Sequence, residues 1–211
     1  DVERSRGLGD VYKRQGIAPH FVNGLRVTDA PSLDIVVAVL TGLVNKELVC
    51  SLQELGGKTI GLSGTDGGLV EAYIAKPELG FVGEVTNVDT TPIINMLQAG
   101  YIPMIAPVAM HRLDKTEHSG KPLNINGDTV AGEIARALGA NRLIFLTDVQ
   151  GIMDSNGRVL QNLDQRRANI LLNSEVISGG MIPKLDACIR AIETSNYAEI
   201  IDGRQPEALL N

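Results

Sequence analysis

Strand-like and helix-like segments alternate along most of this chain, and that order predicts an α/β fold with a mostly parallel sheet covered on both faces. Three observations carry the prediction. Leu33, Val36, Val37, Leu40, Leu43, Val44 and Leu48 recur with helical period until Gly56-Gly57 ends the run. Short apolar runs such as Leu143–Leu146 and Ile102–Val108 have the length and branching of buried strands. Glycine is abundant, at 23 residues, as many tight turns and close backbone approaches require.

Taken in order, the chain opens on a stretch unlike the rest. Residues 1–15 carry Arg4, Arg6, Lys13 and Arg14, keep no usable period and lack the layout of a signal peptide. The run Asp10–Gln15 resembles the in-frame translation of a common transposon-based sequencing adapter. Residues 1–15 are therefore expected to be an artefact and disordered, with the natural N-terminus missing. Phe21–Val27 reads as a short extended arm around the turn Asn23-Gly24. Asp29 or Ser32 fits the cap of the first helix, with Pro31 in its first turn.

Thr59–Leu62 and Leu69–Ala75 alternate as strands, joined by Ser63–Gly68, which reads as a hairpin turn. That segment lacks the Gly-Lys-Ser/Thr ending of a phosphate loop, and no dinucleotide-binding glycine fingerprint occurs either. Val82–Val88 is another strand, followed by a helix from Thr91 to Gln98 and a strand from Ile102 to Val108. His111–Pro122 is a polar loop, expected with the two chain ends to be the least stable part. Beyond it come a helix from Thr129 to Leu138, a strand from Leu143 into Thr147-Asp148 and a hairpin-like stretch from Gly151 to Leu163. Helices over Asp164–Leu172 and Met181–Ser195 and a strand at Ile200-Ile201 complete the map.

Composition excludes several functions. Lys and Arg number 19 against 25 Asp and Glu, net −6, and aromatics make up 3% with no Trp. Such a chain lacks both the basic footprint and the stacking platforms of a nucleic-acid binder. The longest strongly apolar stretch, Ile35–Leu40, is far short of a bilayer span, so no membrane helix is expected. Cys50 and Cys188 lack metal-ligand spacing and read as buried free thiols of a reducing cytoplasm. His20, His111 and His118 lie in loops without a cluster, which gives no metal or general-base role.

In sheets of this class, ligands bind in the loops that follow the carboxyl ends of strands. That rule selects three places. Asn124-Ile125-Asn126-Gly127-Asp128 leads into a helix; Asp128 or Asn126 fits an N-cap, and Asp128 equally fits a carboxylate held beside a phosphate site to orient lysines. Leu146-Thr147-Asp148-Val149-Gln150-Gly151-Ile152 ends a buried strand; its Asp suits a nucleotide or metal, or an ordinary side-chain turn. Ser178-Gly179-Gly180-Met181-Ile182-Pro183-Lys184 sets two glycines before a helix start. The positive end of the helix dipole opposes a lysine there unless an anion lies nearby, so the segment reads as an anion site or as a plain loop with an exposed Lys. Arg26, on the extended arm, is suited to a two-point grip on a carboxylate or to an isolated surface role.

As an ordered set, Asn23–Asp29, Asn124–Asp128, Leu146–Ile152 and Gly179–Lys184 closely resemble the acetylglutamate-kinase branch of the amino-acid kinase family, and the resemblance covers Gly16–Asn211. It implies an αβα sandwich around a mainly parallel central sheet. The implied reaction is phosphoryl transfer from ATP, carrying Mg²⁺, to the side-chain carboxylate of N-acetyl-L-glutamate in arginine biosynthesis. On that match residues 16–139 form an N-terminal lobe that binds the acetylamino acid and dimerises, and residues 140–211 a C-terminal lobe that binds ATP. Lys184 would stabilise the transferring phosphoryl group and Asp128 would orient the catalytic lysines. Arg26 and Asn124 would hold the substrate's α-carboxylate. Asp148, Val149, Gln150, Gly151, Ile152 and Met153, with Val176, Ile177 and Ser178, would line the nucleotide site. A cytoplasmic homo-oligomer, dimer or hexamer, with arginine feedback is implied as well.

The chain also departs from that pattern. The family begins with a strand bearing Lys-x-Gly-Gly and continues to a glycine-rich loop; both would precede Gly16. It also continues past Ala208–Asn211 to a terminal helix and strand. A chain without these parts is expected to be inactive alone. The competing readings are a sibling kinase acting on carbamate, aspartate, glutamate or UMP, and a non-catalytic sensor of N-acetylglutamate or arginine.

Overall fold

The computed structural model describes residues 21–22, 25–112, 120–174 and 176–210. The expected artefact at residues 1–15, the Asn23-Gly24 turn and residues 113–119 of the polar loop lie outside them. The chain divides into two compact units, residues 1–127 and 128–211.

In the first unit, β1 (Phe21–Val22) and β2 (Leu25–Arg26) pair antiparallel, Phe21 opposite Arg26. Helix α1 (Ala30–Glu54) follows. Asp29 is its cap: its carboxylate accepts from the Ser32 N–H at 2.9 Å, with Pro31 in the first turn. The helix widens to π-helical geometry over Ala38–Val44, a feature that periodicity alone does not announce. Its length corrects the expectation of no bilayer-long segment: 25 residues, with a window of mean hydropathy 1.8, are long and apolar enough to cross a membrane. Counting an uninterrupted apolar run missed this because Thr41, Asn45 and Lys46 break the run without ending the helix.

One face of α1 is committed to a sheet. Strands β3 (Thr59–Ser63) and β6 (Ile102–Ala106) pair in parallel, and the buried Asn45 donates to the carbonyls of Leu62 and Met104 at 3.2 and 2.8 Å. The approach is close enough to require glycine at position 61, where a Cβ would overlap Asn45 Oδ1 and lie 2.5 Å from Lys46 Nζ.

Two strand expectations are corrected. Ser63–Gly68 is not a hairpin turn, because β3 pairs with β6 while β4 (Val70–Tyr73) belongs to another sheet. Asp66 draws the chain out of register by accepting from both the Ser63 N–H and its hydroxyl. The run from Ile102 to Val108 breaks at Pro107, which has no N–H for a ladder. Beyond the break, β7 (Val108–His111) joins a mixed sheet ordered β5-β4-β7-β8, with β5 spanning Glu84–Val88 and β8 Pro122–Asn124. Helix α2 (Thr91–Gln98) forms where expected.

The second unit, from Asp128, takes in all but the first residue of α3 (Gly127–Leu138). The packing accounts for this, since Ala135 is buried against Leu143 and Phe145 of β9 (Arg142–Thr147) and against Ala187, Cys188 and Ala191 of α5 (Met181–Ala191). Helix α4 (Gln165–Leu172), capped by Asp164, covers Ile152, Leu185 and Ile189 through Ala168. Strand β10 (Tyr197–Asp202) runs parallel to β9. The hairpin-like stretch from Gly151 to Leu163 reduces to one bridge, Met153 to Val159, around a turn held by Asp154.

Candidate active site

The strongest constellation lies at the start of the second unit. Asp128 is in the first turn of α3 and Lys184 in the first turn of α5, and the Lys184 ammonium donates to Asp128 Oδ2 at 3.0 Å with both side chains largely shielded from water. Asp128 is therefore inside the helix rather than its cap, and Asn126 directly precedes that helix. The helices run in the same direction. Lys184 meets Asp128, Arg190 meets Glu133, and the Thr194 hydroxyl donates to the Arg136 carbonyl, pairs 56, 57 and 58 residues apart. Two N-termini thus converge at one place. Each contributes roughly half a positive charge, and with Lys184 and Asp128 cancelling, the sum is about one positive charge, suited to an anion.

At the carboxyl ends of β9 and β10 the register sets Asp202 beside Thr147. The Thr147 hydroxyl lies 2.8 and 3.1 Å from the Val149 and Ile201 carbonyls, sharing its one proton between them, which fixes the turn carrying Asp148. Asp202, almost fully buried, accepts from Arg204 at 2.8 and 2.9 Å. Those hydrogen bonds hold its carboxyl well below the ordinary carboxylate range. The Arg204 guanidinium is raised in turn, first by its bonds to Asp202 and in smaller part by the charge of Asp148. Sequence reasoning missed this pair; an Asp-x-Arg step closing a strand parallel to β9 is the signal that could have found it.

A cavity of about 370 Å³ lies beside this turn, lined by Gln150, Gly151 and Ile152 and by Leu185, Cys188 and Ile189 of α5. The other residues expected at the nucleotide site are distributed differently. Asp148, Met153, Val176 and Ser178 are exposed, Val149 is half-buried, and Ile177 is buried in the core with Ile152 and Leu185. The second cysteine expectation needs a correction: Cys188 is buried, but Cys50 is exposed on α1. The Cys188 thiol is pushed up to about 12, by burial first and by the Asp128 charge second.

In the first unit the structure brings the arm of Arg26 to Asn124. Thr28, fully buried two residues after Arg26, accepts a hydrogen bond from the Asn124 amide at 3.1 Å. The backbone closes the same link: the Thr28 N–H donates to Leu79, the Phe81 N–H to Thr28 and the Asn124 N–H to Phe81. Two segments 96 residues apart are thereby fixed side by side.

A model of the amino acid kinase family matches residues 5–202. The acetylglutamate kinase of Dehalococcoides mccartyi (strain CBDB1) is 46% identical over 195 residues, covering 92% of this chain and 72% of that protein. The acetylglutamate kinase of Nostoc sp. (strain PCC 7120) is 48% identical over 200 residues, covering 92% and 65%. Among solved structures, smu.665 from Streptococcus mutans UA159 superposes with a TM-score of 0.83 at 28% identity, covering 94% of this chain and 79% of that one.

Proposed function

The chain belongs to the amino acid kinase family, and on that premise we propose that it transfers the γ-phosphoryl group of MgATP to the side-chain carboxylate of N-acetyl-L-glutamate, the acetylglutamate kinase step of arginine biosynthesis. The observation that carries this reading is the Lys184–Asp128 pair at two converging helix N-termini.

A carboxylate is already a competent nucleophile at neutral pH, so the reaction needs no general base. An oxygen of the substrate forms a bond to the γ-phosphorus as the bond to the bridging oxygen of ADP breaks. The barrier lies in bringing an anion up to a polyanion, and positioning plus aimed cations lowers it. In this reading Lys184 faces the transferring group, and Asp128 holds its ammonium in place between turnovers. Arg26 and Asn124 hold the α-carboxylate of the acetylamino acid. The Asp148–Met153 loop holds the nucleotide, with Val176 and Ser178 beside it and Ile177 contributing backbone. Mg²⁺ is assigned to the phosphates of the nucleotide itself, the usual habit of that ion.

Self-association, arginine feedback and a cytoplasmic location belong to the same reading. Two free thiols and a long helix with exposed leucines support it. The test uses the complete gene product with MgATP, trapping acyl phosphate with hydroxylamine across N-acetyl-L-glutamate, glutamate, aspartate and carbamate. Turnover confined to N-acetyl-L-glutamate is expected. Turnover with another acid would keep Lys184 and overturn the substrate. Binding of N-acetylglutamate or arginine without turnover would make the protein a sensor. Arg26→Lys is expected to raise KM for N-acetyl-L-glutamate at nearly constant kcat, because a two-point grip is lost; an unaltered KM removes Arg26 from the site.

A further inference from the structure

One face of α3 meets one face of α5 along a seam of three steps. At the top Asp128 pairs with Lys184. One turn down, Gly132 lies so close to α5 that a Cβ there would stand 2.8 Å from Ala187 Cβ and 3.0 Å from the Ala187 backbone. Beside that contact, Glu133 is buried, accepting from Arg190 of α5 at 3.1 Å and from Arg136 of its own helix at 2.8 Å. Asp186 holds the other edge of Arg190 at 2.9 Å.

A buried carboxylate between two guanidiniums needs an explanation. Desolvating the Glu133 carboxylate is costly, while Arg190 and Arg136 keep 48% and 45% of their side-chain surface in water, which screens the attraction, so the pairs are poor devices for stability alone. What they do supply is register: the Nε–Nη2 edge of Arg190 is held by Asp186 of its own helix, which aims Nη1 at Glu133 across the seam and leaves the guanidinium few positions. Here the register matters between one and two turns away. Sliding or rotating α5 on α3 would carry Lys184 off Asp128, since both stand on the helices that Glu133 and Arg190 join. The Gly132–Ala187 approach removes the slack by setting the interhelical distance at contact.

We propose that the Glu133–Arg190 ion pair, over the Gly132–Ala187 approach, is the positioning device that fixes where the Lys184 ammonium stands. The role rests on the catalytic reading of Lys184, yet the position of the ammonium is measurable without turnover. Glu133→Gln keeps the shape and removes the charge; Arg190→Met removes the partner and Arg190→Lys restores a cation without the fork. Lys184 is the one lysine between residues 128 and 211, so acylation of its amine by an activated ester is read cleanly by peptide mass spectrometry. Lys46 and Lys58 serve as references in the other unit.

In the complete gene product, Asp128→Asn is expected to speed labelling of Lys184 several-fold. Glu133→Gln and Arg190→Met should do nearly the same, with Arg190→Lys intermediate. The double variant Asp128→Asn/Glu133→Gln should label no faster than Asp128→Asn alone, the non-additivity of residues acting through one contact. Rates that multiply, or Glu133→Gln labelling at the wild-type rate, would overturn the proposal. Kinase turnover is read in parallel: kcat should fall about tenfold in Glu133→Gln with KM for both substrates within about twofold, the pattern of an interaction made in the transition state. A wild-type protein without turnover would defeat the kinase reading while labelling still decides the positioning.

Discussion

Lys184 stands where a helix end least favours a cation, and the structure shows what makes the position tolerable. Asp128 lies 3.0 Å away and neutralises it at rest, while two converging helix starts keep the surroundings receptive to an anion. A phosphoryl group arriving there competes with Asp128 for the ammonium. Removing one preorganised donor of this kind costs about 10²–10³ in rate, or roughly 2.7–4 kcal/mol. Lys184→Ala is therefore expected to lower kcat by that factor with smaller changes in KM, and steady-state kinetics showing kcat unchanged would exclude Lys184 from the chemistry. The same carboxylate acts on the neighbouring Cys188, whose thiol, already raised by burial, sits at about 12. Its ionisation in the unfolded chain begins near the ordinary value of 9.0, so the folded state loses stability as pH rises above that value and keeps it below. At pH 8 a chromogenic disulfide should titrate Cys50 rapidly and Cys188 only after unfolding in guanidinium. Two thiols of equal rate would contradict the burial of Cys188.

At the scale of elements, the sequence displayed the helices, with ends shifted by two residues at Gly127 and four at Ala191, and misled where a polar residue did something other than cap or turn. Thr91–Gln98 was legible because Thr and Pro start it and Gly100 follows its end. Lys184 and Asp128 were legible as separate helix-start motifs, and their contact only through the family resemblance, because packing of α3 on α5 is what brings positions 56 residues apart together. The Ser63–Gly68 turn resembled a hairpin because Asp and Gly serve both purposes; the partner of β3 is set instead by Asn45, whose bonds to Leu62 and Met104 tie β3 and β6 to one helix. Gly61 is the point at which that tie depends on the absence of a side chain. A methyl group there meets Asn45 and Lys46, and overpacking of this kind costs about 1–3 kcal/mol. Gly61→Ala is expected to lower the urea midpoint with little change in m. A midpoint equal to wild type would mean that α1 has room to lift from the sheet.

At the scale of the molecule, α1 raises a question of solvent. Its inner face is occupied by the sheet through Asn45 and Val49, yet Leu43, Leu48 and Leu55 are 60%, 46% and 84% exposed. The neighbouring α2 and β6 expose Ile94, Leu97 and Ile102 as well. Apolar surface on this scale marks a contact surface, and burying each leucine is worth about 1.5–3 kcal/mol. Length and hydropathy would equally admit lipid, but a helix crossing a bilayer could not keep Asn45 bonded to the carbonyls of two sheet strands, because an open sheet is not tolerated in hydrocarbon. In the proposed self-associating reading, the exposed leucines face a second copy of the chain. Sedimentation of the complete gene product in detergent-free buffer should give a homo-oligomer. Leu48→Glu combined with Leu55→Glu should shift it to monomer with an unchanged far-ultraviolet spectrum. A wild-type monomer at tens of micromolar would remove the assignment, and flotation of the protein with neutral lipid vesicles would give that face to a membrane instead.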